Sequence, residues 1–167
     1  MKKTIAMLLL AFAAHYVQAQ TKVFKEVGEG MSSQVETILQ DNKLVGYLMF
    51  TKLEKASVDS FNYRITIMDE NLNNIGKVDF KEIGLILQGV SFDQDVLCLG
   101  YLKSNFLYQD YSSKSKYKKA IPNAKNFILA QFISLDGKII KANSIPVNLD
   151  LNTRLENKYG KTYADAS

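Results

Sequence analysis

From Val35 onward the chain is a succession of apolar runs, six to nine residues long where they are clearest, broken by short turn-forming segments. That spacing leaves little room for anything except antiparallel β structure. Residues 35–40 precede Asp41-Asn42, and residues 43–51 follow it, two runs around a two-residue turn. Such an arrangement is a hairpin signal. Phe61, Tyr63, Ile65 and Ile67 then alternate with Asn62, Arg64 and Thr66. A period of two marks a strand with one face in the core. Residues 69–74 carry turn chemistry, and residues 75–80 read as a returning strand.

The order then recurs. Residues 86–92, Asp93-Gln94 and residues 95–103 form a second hairpin, and residues 126–135, Asp136-Gly137 and residues 138–145 a closing one. The expected fold is therefore all-β, with two four-stranded antiparallel units at about residues 35–81 and 86–145, after an N-terminal signal helix. The units are propeller-blade-like or stacked as a sandwich. Two blades cannot close a ring, since propellers use four to eight. Of the ways out, a sandwich, an oligomer or a piece of a longer ancestral chain, the last is favoured. A terminal unit without a cap leaves apolar surface open, so self-association is expected. Residues 20–146 make the β domain, and 147–167 a polar tail without a clear period.

Residues 1–19 read as a secretory signal peptide: Lys2 and Lys3, an apolar run too short to span a bilayer, and Val17-Gln18-Ala19 before a cleavage point. The expected location is exported, periplasmic or extracellular. Cleavage leaves 148 residues and removes His15, the chain's only histidine. The segment holds two of the 21 basic residues and none of the 17 acidic ones, so the mature charge is +2. A nucleic-acid binder needs a concentrated basic face, and that class is set aside. No later apolar stretch has the roughly 18 residues of a spanning helix, so no transmembrane anchor is expected after cleavage. Cys98, in an apolar strand-like run, has no intrachain partner and is expected to be an inert buried thiol.

The leader at residues 1–20, the strand and turn Ile65-Thr66-Ile67-Met68-Asp69-Glu70-Asn71-Leu72-Asn73, and the strand Asp95-Val96-Leu97-Cys98-Leu99-Gly100-Tyr101 resemble an uncharacterised family of secreted β-repeat proteins from Bacteroidetes-type bacteria. The resemblance covers about residues 1–147. It implies a secreted protein with more β repeats than this chain carries, which makes the chain look truncated. It implies no activity and no catalytic residue.

Three groups of residues are candidates for chemistry. Asp69, Asn71 and Asn73 place oxygens at alternate positions, as a calcium loop does, although Asn74 stands where glycine belongs and Phe80 where a bidentate Glu belongs. Asx turns use the same residues without a metal. Residues 104–125 form a long connection, and long connections are often functional. Over residues 103–125 six lysines face Asp110 alone, a charge of +5 that leaves the remaining mature chain at −3. Lys114, Lys116, Lys118 and Lys119, with Tyr111 and Tyr117, could take an anionic glycan, a lipid headgroup or an acidic protein, and the plain alternative is a solvated loop. Asp41, Asp69, Glu70, Asp93, Asp95 and Asp136 could supply a carboxylate pair for glycoside cleavage, but each sits in an expected turn.

The sequence therefore points to an exported β-repeat binding or scaffolding module without catalytic activity or cofactor. The alternatives are a carboxylate-dependent hydrolase or lyase of surface polysaccharide, or a truncated product with no separate activity.

Overall fold

The computed structural model describes residues 32–148. The expected signal segment at 1–19 and nearly all of the polar tail lie outside the described residues. Seven strands follow in chain order: β1 (Ser32–Gln40), β2 (Lys43–Lys55), β3 (Ser60–Asp69), β4 (Asn74–Asp93), β5 (Val96–Ser104), β6 (Asn126–Ser134) and β7 (Ile139–Val147). Each pairs antiparallel with the next, giving one open seven-stranded sheet in the order β1-β2-β3-β4-β5-β6-β7. Between β5 and β6 lie a short helix, α1 (Lys114–Ala120), and a 3-10 turn at Ile121–Asn123.

Local chemistry sets the hairpins. Asp41 and Asn42 both take positive φ, 51° and 62°. A two-residue turn with both residues left-handed matches the twist of the strands it joins, and Asp and Asn tolerate that backbone. The second such turn falls one residue later than expected. Its central residues are Gln94 and Asp95, at φ 47° and 64°, and Asp93 instead pairs with Val96 as the last rung of the ladder.

The larger correction concerns β4. Residues 75–80 and 86–92, read as separate strands of separate units, belong to one 20-residue strand. Its first half pairs with β3 as far as Ser60 opposite Ile83, and its second half pairs with β5 from Gly84 opposite Ser104. No turn is needed at the changeover, because a side chain serves the backbone there. The Tyr63 hydroxyl accepts the Leu85 N–H at 2.8 Å and donates to the Ile83 carbonyl at 3.3 Å.

One hydrophobic cluster draws on both halves of the sheet. Leu48 and Phe50 of β2, Tyr63, Ile65 and Ile67 of β3, Leu85 and Leu87 of β4, Leu97, Leu99 and Tyr101 of β5, and Leu129 and Ile133 of β6 are all buried in it. The Phe50 ring stacks on Tyr63 at 5.3 Å and lies 5.4 Å from Tyr101. Phe50 and Tyr101 sit on strands separated by β3 and β4 in the sheet order, so the sheet curls until β2 meets β5. Burial pushes the Tyr63 and Tyr101 phenols well above their ordinary value. Both therefore stay protonated and act as hydrogen-bond groups, Tyr101 donating to Gln131 Oε1 at 3.1 Å.

Cys98 departs from expectation. Leu97 and Leu99 point into the core, so by the alternation of a strand Cys98 lies on the opposite face, where it is half-buried.

Candidate functional site

The connection between β5 and β6 is built rather than loose. Ser104, almost fully buried, accepts the Phe106 N–H at 3.1 Å and turns the chain out of β5. Asn105 closes the base by accepting the Lys125 N–H at 2.8 Å. Leu107 packs directly against the backbone of Gly84, at the changeover in β4. Ser113 then caps α1: its backbone is extended and its hydroxyl accepts the Lys116 N–H. The segment whose plain alternative is a solvated loop thus holds a short capped helix.

Three rings hold that helix down. Phe106 lies 5.3 Å from Tyr111 and 5.2 Å from Tyr117, and Tyr111 and Tyr117 meet edge-on at 5.6 Å. The two tyrosines proposed as ligand contacts are therefore half-buried anchors of α1. Lys114, Lys116, Lys118 and Lys119 are all exposed. Lys118 and Lys119 stand in the last turn, where a cation suits the helix dipole.

Tyr108 brings further residues to this end of the sheet. Its φ is +59°, a backbone that non-glycine residues seldom adopt. The hydroxyl donates to the Leu85 carbonyl at 2.9 Å, and the ring meets Phe61 edge-on at 5.6 Å. Over those rings stands Lys52, its Nζ 4.8 Å from the Tyr108 centroid and 5.3 Å from that of Phe61. Lys55 Nζ lies 5.8 Å from the Phe61 centroid. Burial pulls the Lys52 ammonium below its ordinary value. On the other flank Lys103 pairs with Glu82 at 2.7 Å and lies over Phe127.

Lys52, Lys55 and Phe61 escaped the sequence reading of this site because they lie on β2 and β3, some fifty residues from the connection. A faint signal exists. Leu48, Phe50 and Lys52 share one face of β2, and a lysine continuing an inward series marks where the core ends.

The other candidates stay in their turns. The Asp69 carboxylate accepts the backbone N–H groups of Asn71 and Asn73 at 2.9 and 2.7 Å and the Asn73 side-chain amide at 2.9 Å. These three bonds are Asx-turn chemistry. Asp69→Ala is expected to lower stability by about 1 kcal/mol. The loss should be the same in chelator and in added calcium by thermal melting, whereas a calcium site would make it depend on the ion. Asp136 accepts from Ser134 Oγ, and the bond holds its carboxyl below the usual range. Asp41, Asp93 and Asp95 lie at the β1–β2 and β4–β5 hairpins, and Glu70 lies between β3 and β4. Among the described residues, no three His, Cys, Asp or Glu side chains gather as a metal site. No helix among them is long and apolar enough to cross a membrane.

No curated protein matches the chain, and no solved structure does. One protein-family comparison does match, and it spans residues 1–111, through β5 to Tyr111. The chain belongs to that family, the family of unknown function designated DUF6770.

Proposed function

We propose that this chain is an exported binding or scaffolding module, without catalytic activity of its own, that takes an anionic partner on the β5–β6 connection. The observation that carries the reading is the division of labour in α1: Tyr117 packs inward on Phe106 and Tyr111, while all four lysines project to solvent. A helix capped and anchored in this way holds its charges at fixed positions, which a solvated loop does not do. The curled sheet is further read as two stacked layers, about residues 35–81 and 86–145, sharing β4. The meeting of Phe50 with Tyr101 supports that reading.

The test is retention on an anionic matrix. The parent should bind at low salt and elute near 1 M, where the Debye length has fallen to about 3 Å. Changing Lys114, Lys116, Lys118 and Lys119 to Gln should remove most of the retention. Stability should fall only modestly, by about 0.5 kcal/mol or less for each substitution, with the largest share from Lys118 and Lys119 in the last turn. Equal retention of parent and variant at low salt would sink the proposal.

A further inference from the structure

On β4–β7 the face turned away from the core is apolar. Leu107 covers it at Gly84, and the rows beyond are not buried. Strand register lines up Ile86, Leu102, Ile128 and Ile145 as one row across four strands. Ile86 and Leu102 are half-buried, while Ile128 is 53% and Ile145 64% exposed. About 7 Å further along the strands, Gly89, Gly100 and Ala130 form a second row. A ridge thus runs beside a trough. Cys98 and Phe132 stand in the next row, and Lys141 at its end is the only charge in the three. Contacts within the chain do not account for the trough. A Cβ on Gly89 would meet nothing within 4 Å, and one on Gly100 only the Gly89 carbonyl oxygen at 4.0 Å. Neither glycine takes a left-handed backbone. Glycine inside a strand weakens it, and often marks a place where another molecule or backbone comes close. Among the described residues, none makes that approach.

We propose that this face is the contact between two copies of the chain in a weak, symmetric dimer. A two-fold axis along the boundary between ridge and trough reverses the order of the rows. It sets the ridge of each molecule into the trough of the other. The surface is therefore complementary to itself, as an isologous dimer requires. The same operation keeps the strands of the two sheets aligned, the usual arrangement of sheets packed face to face. The scarcity of charge suits the core of an interface. The three rows span about 19 Å across the strands and roughly 20 Å along them, on the order of 400 Å² in projection. A standard interface takes about 800 Å² of accessible surface from each partner. A corrugated face of this size falls toward the low end, which fits a dimer in exchange with monomer. The contact is separate from the lysines of α1 and does not depend on their anionic partner.

Analytical ultracentrifugation of the full chain over a concentration series tests the contact. Sedimentation is expected to move from monomer toward dimer as concentration rises. Sulfate should strengthen the association, because it favours apolar burial. Gly100→Val fills the trough without meeting a neighbour closer than the Gly89 carbonyl, and valine suits a strand. As a monomer this variant should melt no lower than the parent, yet associate about tenfold more weakly. Ile128→Ser with Ile145→Ser removes the exposed part of the ridge and should weaken association to a similar degree. Either variant decides alone if the other fails to fold. Cys98, beside the trough, should react with a maleimide more slowly where dimer predominates. A parent that sediments as monomer at every concentration overturns the proposal. So does a dimer that Gly100→Val leaves intact and in which Cys98 labels at the same rate throughout. Such a dimer would pair through the free edge of β7.

Discussion

Tyr63→Ala is expected to leave little or no folded protein at ambient temperature. Tyr63 is fully buried and stacks between Phe50 and Phe80, at 5.3 and 5.6 Å. Truncating a buried aromatic to alanine costs about 3–5 kcal/mol. The hydroxyl adds a separate loss, since without it the Leu85 N–H loses its 2.8 Å acceptor inside the core. An unsatisfied buried donor costs about 1–3 kcal/mol. The sum approaches the whole stability of an ordinary domain, about 5–15 kcal/mol. Tyr63→Phe separates the two contributions, because it keeps the ring and removes only the hydroxyl. It should fold, with a denaturation midpoint lowered by the smaller amount. A Tyr63→Phe protein as stable as the parent would show that the changeover in β4 does not depend on this hydroxyl.

That tyrosine also explains why half of the architecture was legible and half was not. Alternation placed Tyr63 inward correctly, along with Phe61, Ile65 and Ile67. Local pattern could not show that its hydroxyl would serve a backbone about twenty residues away. Local pattern ends the first unit at Lys81 and starts the second at Ile86, where the structure continues a single strand. The strands follow in the expected order, but those expected at residues 75–80 and 86–92 are one continuous strand.

The same limit appears at Cys98. In Val96-Leu97-Cys98-Leu99-Gly100 both faces of the strand are apolar, so composition does not say which face is inside. A one-residue change of register reverses every side chain, and Asp93-Gln94-Asp95 offers turn formers in either frame. The site divides likewise. The lysines of α1 were visible as a local excess of charge. Lys52 and Phe61 meet Tyr108 only because the fold carries the β2–β3 end of the sheet to the β5–β6 connection, a long-range consequence that local pattern does not show.

The curl itself should be sensitive to two glycines that meet across it. A Cβ on Gly76, at the start of β4, would run into the Leu135 carbonyl oxygen of the β6–β7 turn. Gly137, in that turn, has φ +89°, and a Cβ there would meet the Lys77 carbonyl at 2.5 Å. Both neighbours are backbone, which cannot swing aside as a side chain can. Gly76→Ala is therefore expected to destabilise by about 1–3 kcal/mol, the usual cost of overpacking. Gly137→Ala should cost at least as much, because the new side chain also opposes the left-handed backbone. Each variant alone should separate the turn from β4. Once it is separated, the second substitution has less contact left to disrupt, so the double variant should lose less than the sum of the two. A coupling of about 0.5 kcal/mol or more in a double-mutant cycle of denaturant melts is the expected result. Strict additivity would mean that the two glycines act in separate places and that the turn does not hold the curled sheet together.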